Sequence, residues 1–307
     1  MHVIVLGAAA GGGAPQWNCA CDNCQALFLQ GAQTQSSLAV SADGDHWFLL
    51  NASPDLRQQI IQTSALQPRA SHGKRHSPLV GAILTNADVD HVTGLLTLRE
   101  SQPLTLYATE RVLGVLQANS IFNVLNPQYV TRNTLHVGKS EPQSLVLPDG
   151  RPSGLTVEAF CVPGKVALWL EDPTAANFGS VPEDTVALKL TDPQGQSFFY
   201  IPGCAAMPPD LAERLRDAPA VFFDGTTFTD DEMIRHGLGV KTAARMGHMA
   251  MSGPEGSLAA FAGLNVGRKI YIHINNSNPA LRAGSPERAQ VEAAGWQVAH
   301  DGLEVTL

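Results

Sequence analysis

No apolar run in these 307 residues is longer than a strand or a strand with its turn, so the sequence contains no bilayer-spanning helix. Charge is scarce at 16%, and basic residues are scarcer still, with 20 Lys and Arg against 28 Asp and Glu for a net −8. A chain with no long basic stripe is a poor ligand for nucleic-acid phosphates, since neutralising them supplies most of such affinity. A small or cationic substrate suits it better. No Lys or Arg precedes the first apolar run, so VIVLGAAAGGGA reads as a strand entering a Gly-rich turn, not as a signal peptide. The expected location is therefore cytoplasmic. Cysteines number only five, three of them within Cys19 to Cys24. In a reducing compartment such crowding points to metal, not disulfides. What is present is a 44% hydrophobic fraction, enough for a full-sized core, which excludes a disordered chain, a coiled coil and a disulfide-stapled mini-domain. The length fits two halves packed as one.

Strand-like runs alternate with helical stretches. Val3–Leu6, Ser37–Val40, Trp47–Leu50, Leu79–Leu84 and Leu104–Tyr107 read as strands in the first half. Helices are expected over Asp55–Ala65, begun by Ser53-Pro54, and from about Val92 to Glu100. The second half repeats the grammar, with strands at Leu155–Val162, Thr185–Leu190, Ser197–Ile201, Ala220–Asp224 and Lys269–Ile274. Its helices fall near Asp210–Arg216, Gly256–Ala262 and Pro286–Ala294, and strands at Trp296–Ala299 and Leu303–Leu307 close it. Two such halves predict two packed sheets with helices outside. The loop from Pro68 to Pro78 carries His72 and His76, read as solvated.

Cys19-Ala-Cys21-Asp-Asn-Cys24 is a C-x-C-x-x-C array whose three thiolates can turn toward one tetrahedral zinc. Three reduced surface thiols would oxidise readily, and an iron–sulfur cluster would want a fourth cysteine that neither Cys161 nor Cys204 supplies in a recognisable spacing. One structural zinc is the reading, its fourth ligand unassigned. The turn Gly7-Ala-Ala-Ala-Gly11-Gly12-Gly13 fails the G-x-G-x-x-G spacing, and the cysteines stand where a phosphate-binding helix would begin.

The segment Leu84-Thr-Asn86-Ala-Asp88-Val-Asp90-His91-Val-Thr-Gly94 runs from an apolar strand through a polar turn into an Asp-His pair. It resembles the metallo-β-lactamase superfamily signature H-x-H-x-D-H, with Asn86 and Asp88 in place of the first two histidines and Asp90 and His91 kept. Further matches follow down the chain: Pro163–Lys165, Tyr200–Cys204, Phe222–Glu232, Gly247–Ser252 and Tyr271–Pro279. The cysteine array, the altered motif and HINNSNP together are similar to the pyrroloquinoline quinone (PQQ) biosynthesis protein B family over essentially the full length. That resemblance implies a metallo-β-lactamase-like αββα sandwich, two mixed sheets packed face to face with helices outside, over a single domain 1–307 of two pseudo-symmetric halves with a zinc loop at 19–24.

It also implies which residues hold metal. In two-zinc relatives the first ion takes the two motif histidines and a strand-end histidine; here those positions read Asn86, Asp88 and Lys165. A neutral amide is a poor ligand and an ammonium repels a cation, so the first site is dismantled. The second site survives as Asp90, His91 and His273, with Asp88 close enough to assist as a ligand or a supporting carboxylate. One carboxylate and two imidazoles form the ligand set of non-haem iron(II) oxygenases, although zinc fits it too. The expectation is one exchangeable active-site metal, iron(II) by this reading. His248, in a Gly-flanked loop, is a candidate acid or base. Asp224, ending the strand AVFFD, is a candidate hydrogen-bonding partner in the site. Lys165 could pair with a substrate carboxylate.

The resemblance further implies a small-molecule precursor of PQQ built from crosslinked Glu and Tyr, and an oxidative step on the tyrosine ring. Hydroxylation by dioxygen at a mononuclear iron is the leading reading. A single-metal hydrolase keeping a metal-bound water, and a carrier that binds PQQ or its precursor on the way to the periplasm, are the alternatives. The surface zinc loop could also support a homodimer contact.

Overall fold

The computed structural model describes residues 1–139 and 141–307. Its strands are β1 (His2–Gly7), β2 (Ser37–Ser41), β3 (Trp47–Leu50), β4 (Leu79–Ile83), β5 (Leu104–Ala108), β6 (Val130–Thr134), β7 (Gln143–Val146), β8 (Pro152–Cys161), β9 (Val186–Thr191), β10 (Ser197–Ile201), β11 (Ala220–Asp224), β12 (Arg268–Ile272), β13 (Trp296–Val298) and β14 (Glu304–Thr306). They form two seven-stranded sheets, in the orders β14-β1-β2-β3-β4-β5-β6 and β13-β12-β11-β10-β9-β8-β7. Each sheet is mixed. In the first, β14 through β3 pair antiparallel and β3 through β6 parallel. In the second, β13 through β10 are parallel and β10 through β7 antiparallel.

The alternation of side chains along each strand separates the layers. Val3 and Val5 of β1, with Leu38, Val40, Phe48 and Leu50, meet Leu188, Phe198, Tyr200 and Phe222 between the sheets. Their sequence neighbours Ile4, Leu6, Ala39 and Leu49 face outward onto helices, as do Phe199, Ile201 and Phe223 on the other side. Both faces of each central strand are covered, which is why these strands read as continuous apolar runs.

The helices are α1 (Asp22–Gln30), α2 (Leu56–Gln62), α3 (Val89–Val92), α4 (Glu110–Ala118), α5 (Pro209–Leu215), α6 (Glu232–Arg235), α7 (Ala243–Met246), α8 (Ser257–Ala260) and α9 (Pro286–Ala293). Side-chain caps start several of them: Thr109 accepts from Val112 N at 3.2 Å to begin α4, and Ser285 accepts from Arg288 N at 3.0 Å to begin α9, with Pro286 in its first position. Leu56, Val112 and Leu116 cover the first sheet, while Leu211, Leu215 and Val291 cover the second. The αββα order expected from the sequence is the one found. Among the described residues no helix is long and apolar enough to cross a membrane.

Three expectations differ from the structure. The helix expected from Val92 to Glu100 is one turn of α3 followed by 3-10 turns over Thr93–Leu98. Gly94 explains the tighter winding: its amide donates to Ala52 O at 2.9 Å, and a Cβ would lie 2.2 Å from Ser53 O. The helix over Asp55–Ala65 shortens to Leu56–Gln62 plus a 3-10 turn, and the strand expected to reach Ile274 stops at Ile272. Finally, α1, α4, α6, α7, β6 and β7 have no counterpart among the elements expected from the sequence.

Candidate metal centre and its cavity

The ends of β4, β8, β10, β11 and β12 converge on one rim. Beyond Ile83 the polar turn leads into α3, which carries Asp90 and His91; the backbone of His91 is fixed by Ala52 N donating to its carbonyl at 2.7 Å. Beyond Ile272 the chain enters the left-handed region at His273, with φ of 57°. For a non-glycine residue that costs roughly 1–2 kcal/mol, a strain of the kind concentrated at functional sites. The residue is buried all the same.

Asp90, His91 and His273 present one ligand atom each, all within 4.8 Å of one another. His91 Nδ1 lies 2.7 Å from Asn86 Oδ1, which can only accept, so Nδ1 carries the proton and Nε2 the lone pair. That Nε2 is buried without a hydrogen-bond partner, 3.7 Å from Asp90 Oδ2. His273 Nε2 lies 3.1 Å from the same carboxylate oxygen. A buried nitrogen lone pair with no donor, beside a carboxylate and a second imidazole, is a cation cradle, since leaving it unpaired has a desolvation cost that a metal ion removes. Burial opposes the charge on Asp90, but His91 and His273 outweigh it and hold the carboxyl well below the usual range. Burial likewise holds His91 below its ordinary value despite Asp90. At His273 burial is overcome by the hydrogen bond and charge of Asp90, and the imidazole is raised.

Behind His273 lies a polar relay anchored on Asp224, whose side chain is fully buried. Its carboxylate accepts from Cys204 N at 2.9 Å, Thr226 N at 3.0 Å and His248 Nδ1 at 2.7 Å. The Thr226 hydroxyl donates to Asp224 Oδ1 at 2.7 Å and stands 3.0 Å from His273 Nδ1, whose proton it can accept. Asp224 thus orients two stacked imidazoles, His248 and His273, whose ring centroids are 5.2 Å apart. Asp224, His248 and His273 also form a group of possible ligands. Their facing atoms are already satisfied by one another and by Thr226, so the Asp90 group is the better cradle.

A cavity of about 280 Å³ opens over the centre. Asn86, Asp88, Lys165, Lys241 and His248 line it, and Ala10 and Gly11 of the Gly-rich turn contribute to its wall. Asp88 Oδ1 accepts from Leu168 N at 3.1 Å, which ties the carboxylate to the neighbouring turn, outside the three-atom cradle. Lys165 pairs with Glu171 at 3.2 Å and donates to Val166 O at 3.2 Å. Gly203 also lines the cavity.

Cys19, Cys21 and Cys24 meet at the start of α1, with their sulfurs within 4.8 Å of one another. Burial and the neighbouring thiols push Cys21 up to about 11. Asn276 donates to Cys24 Sγ at 3.2 Å, and Asn23 donates to Ser277 O at 2.6 Å, so the HINNSNP stretch that carries His273 also supports the cysteine loop.

Three residues of the site are absent from the sequence reading as contributors: Thr226, Lys241, and Asn86 in its role of orienting His91. For Asn86 a signal existed, since an amide five residues before His91 offers an acceptor within reach of an imidazole on the next turn. For Thr226 the run Gly-Thr-Thr gave no indication of which hydroxyl turns inward.

Residues 46–274 match the family described as beta-lactamase superfamily domain. The coenzyme PQQ synthesis protein B of Rhodopseudomonas palustris (strain TIE-1) is 55% identical over 310 residues, with all of both chains covered. The crystal structure of zinc-bound PqqB from Methylobacterium extorquens superposes with a TM-score of 0.93 at 49% identity, again over all of both chains. A diphosphatase of the PhnP family shares the fold, with a TM-score of 0.68 at 20% identity over 99% of this chain and 96% of that one.

Proposed function

Because the chain belongs to the coenzyme PQQ synthesis protein B family, within the β-lactamase superfamily, we propose that it hydroxylates the tyrosine-derived ring of the Glu–Tyr precursor in PQQ synthesis. The observation that carries this reading is the unpartnered Nε2 of His91 beside Asp90 Oδ2 and His273 Nε2, with an amide and an ammonium side chain where a second metal would need ligands. Asp90, His91 and His273 would hold the active-site metal, and one carboxylate with two imidazoles suits iron(II) as well as the zinc bound by the Methylobacterium relative. Iron(II) held there would supply the electron transfer that dioxygen requires before it reacts with a phenolic ring, which zinc, having no redox chemistry, would not. Cys19, Cys21 and Cys24 would hold a separate structural zinc.

The protein's own residues orient and move protons. Asn86 fixes the tautomer of His91, and Thr226 that of His273, so both would present lone pairs to a metal ion once the proton that His273 Nε2 shares with Asp90 is displaced. His248 is held through Nδ1 by Asp224 and lines the cavity, where its other ring nitrogen would take the phenolic proton of the substrate and return it. In the overall reaction one oxygen atom replaces a ring hydrogen as hydroxyl. The other leaves as water, with two electrons and two protons drawn from a reductant.

The test is turnover of the Glu–Tyr-derived precursor by the iron-loaded protein under ¹⁸O₂, with product mass and oxygen uptake measured for wild type and His273→Ala. One ¹⁸O atom per product, abolished in His273→Ala, is expected. Product formed without oxygen uptake would establish the hydrolase instead. Tight binding with no turnover would establish the carrier.

A further inference from the structure

Two lysines line the cavity, and they are not equivalent. Lys165 is engaged with Glu171 at 3.2 Å, and that carboxylate is clamped a second time by Arg245, at 2.8 and 3.1 Å. The Arg245 guanidinium in turn lies 3.8 Å from the centroid of the Phe178 ring. Three cations, Lys165, Lys241 and Arg245, therefore surround one carboxylate, and Lys241 is the one that makes no ion pair within 4 Å among the described residues. Asp88, another carboxylate lining the cavity, accepts the amide of Leu168 on Oδ1.

Lys241 is also well placed. It immediately precedes Thr242, whose hydroxyl accepts from Arg245 N at 3.2 Å and starts α7, the helix that delivers His248 through the left-handed Gly247. Its backbone is thus fixed relative to the acid–base histidine. Beside it the cavity offers apolar surface from Leu168, 56% exposed, and from Met246. A fixed cation without a partner, next to exposed aliphatic surface and a metal cradle, suits a flat ring that carries a carboxylate.

We propose that Lys241 anchors a substrate carboxylate and sets the specificity of the site for polycarboxylate aromatic rings. This rests on the hydroxylase reading above for the identity of the substrate. A compound built from Glu and Tyr carries two α-carboxylates and one side-chain carboxylate when its ends are free, so it has the groups this lysine would select. Lys165, already neutralised by Glu171, contributes less.

The experiment measures binding of two probes, PQQ and its trimethyl ester, to the zinc-loaded full chain by calorimetry at low and high salt. Lys241→Gln should weaken PQQ binding about tenfold, the loss expected for one charge-assisted hydrogen bond, with a smaller difference at high salt. Binding of the ester, which has no charged carboxylate, should stay within about twofold, which also reports that the variant is folded. Lys241→Arg should largely restore PQQ binding. If Lys241→Gln binds PQQ like wild type, or loses ester and PQQ equally, the lysine is not the anchor, and the hydroxylase reading is untouched. If the wild type binds neither probe, the ligand class is wrong and the reading beneath it fails as well.

Discussion

Thr226→Val tests the relay most directly, because it removes one oxygen and nearly conserves volume. The Thr226 side chain is buried, and its hydroxyl links Asp224 Oδ1 at 2.7 Å to His273 Nδ1 at 3.0 Å. In the valine variant Asp224 keeps Cys204 N, Thr226 N and His248, so its carboxylate loses one partner of several. Among the described residues His273 loses its only acceptor for Nδ1. An unsatisfied buried donor costs about 1–3 kcal/mol, and loss of a supporting hydrogen bond to a ligating histidine lowers metal affinity about 10–100-fold. The two figures describe one physical change, since a factor of 10–100 corresponds to about 1.4–2.8 kcal/mol. The assay is zinc competition against a chromophoric chelator, with the cysteine site loaded beforehand so that only the Asp90 centre titrates. Thr226→Ser, which keeps the hydroxyl, should bind within a few-fold of wild type. Valine binding zinc as tightly as threonine, or serine failing as badly as valine, would refute the relay.

Two further outcomes follow from groups elsewhere. Burial raises the Glu232 carboxyl to about 6, so the folded state holds its proton more tightly than the unfolded chain does. That contribution to stability is complete below about pH 4.5 and is lost as pH rises through about 6, a change of roughly 2 kcal/mol. Glu232→Gln, an amide mimic of the protonated acid, should flatten this part of the urea-unfolding profile and be the more stable protein at pH 8; an unchanged profile would contradict it. Cys21→Ser should lower the melting temperature and abolish tight zinc at the cysteine loop, because a structural zinc contributes folding free energy, on the order of 10 kcal/mol in small modules. In a chain with its own core, partial unfolding is expected; a variant that melts and sediments like wild type would show that the loop is not structural.

Most of the fold was legible because its central strands are covered on both faces and appear as plain apolar runs between turn residues. What the sequence concealed lies at the edges. β6 and β7 are outermost strands whose residues are mostly exposed or half-buried, so neither shows a hydrophobic pattern strong enough to mark it. In α1 the apolar pair Phe28 and Leu29 is exposed at 65% and 91%, which blurs its buried face, and the crowded cysteines at its start mask the helical pattern. The carboxylate and two imidazoles of the cradle were readable from motif resemblance although Asp90 and His273 stand 183 residues apart. The residues that orient them were not. In sequence Asn86 signals only what it cannot do, bind a cation; its acceptor oxygen comes to 2.7 Å from His91 Nδ1 only once the turn is folded. Lys241 and Lys165 look alike in sequence; only the position of Glu171 distinguishes the free ammonium from the neutralised one.

Asp90 and His91 hang from the first sheet, and His273 from the second. Across the two sheets His273 Nε2 approaches Asp90 Oδ2 to 3.1 Å, and its ring meets that of His91 edge-on at 5.2 Å between centroids. An ion held by all three would act as a rivet across the sandwich. It would gain affinity from the closed arrangement of the sheets and would add to the work of separating them, by about 2.7 kcal/mol when free metal stands at a hundred times its dissociation constant. Mechanical robustness and catalytic competence would then vary together with metal supply: a cell short of the metal would hold a protein that is both idle and easier to unfold, and so more readily cleared.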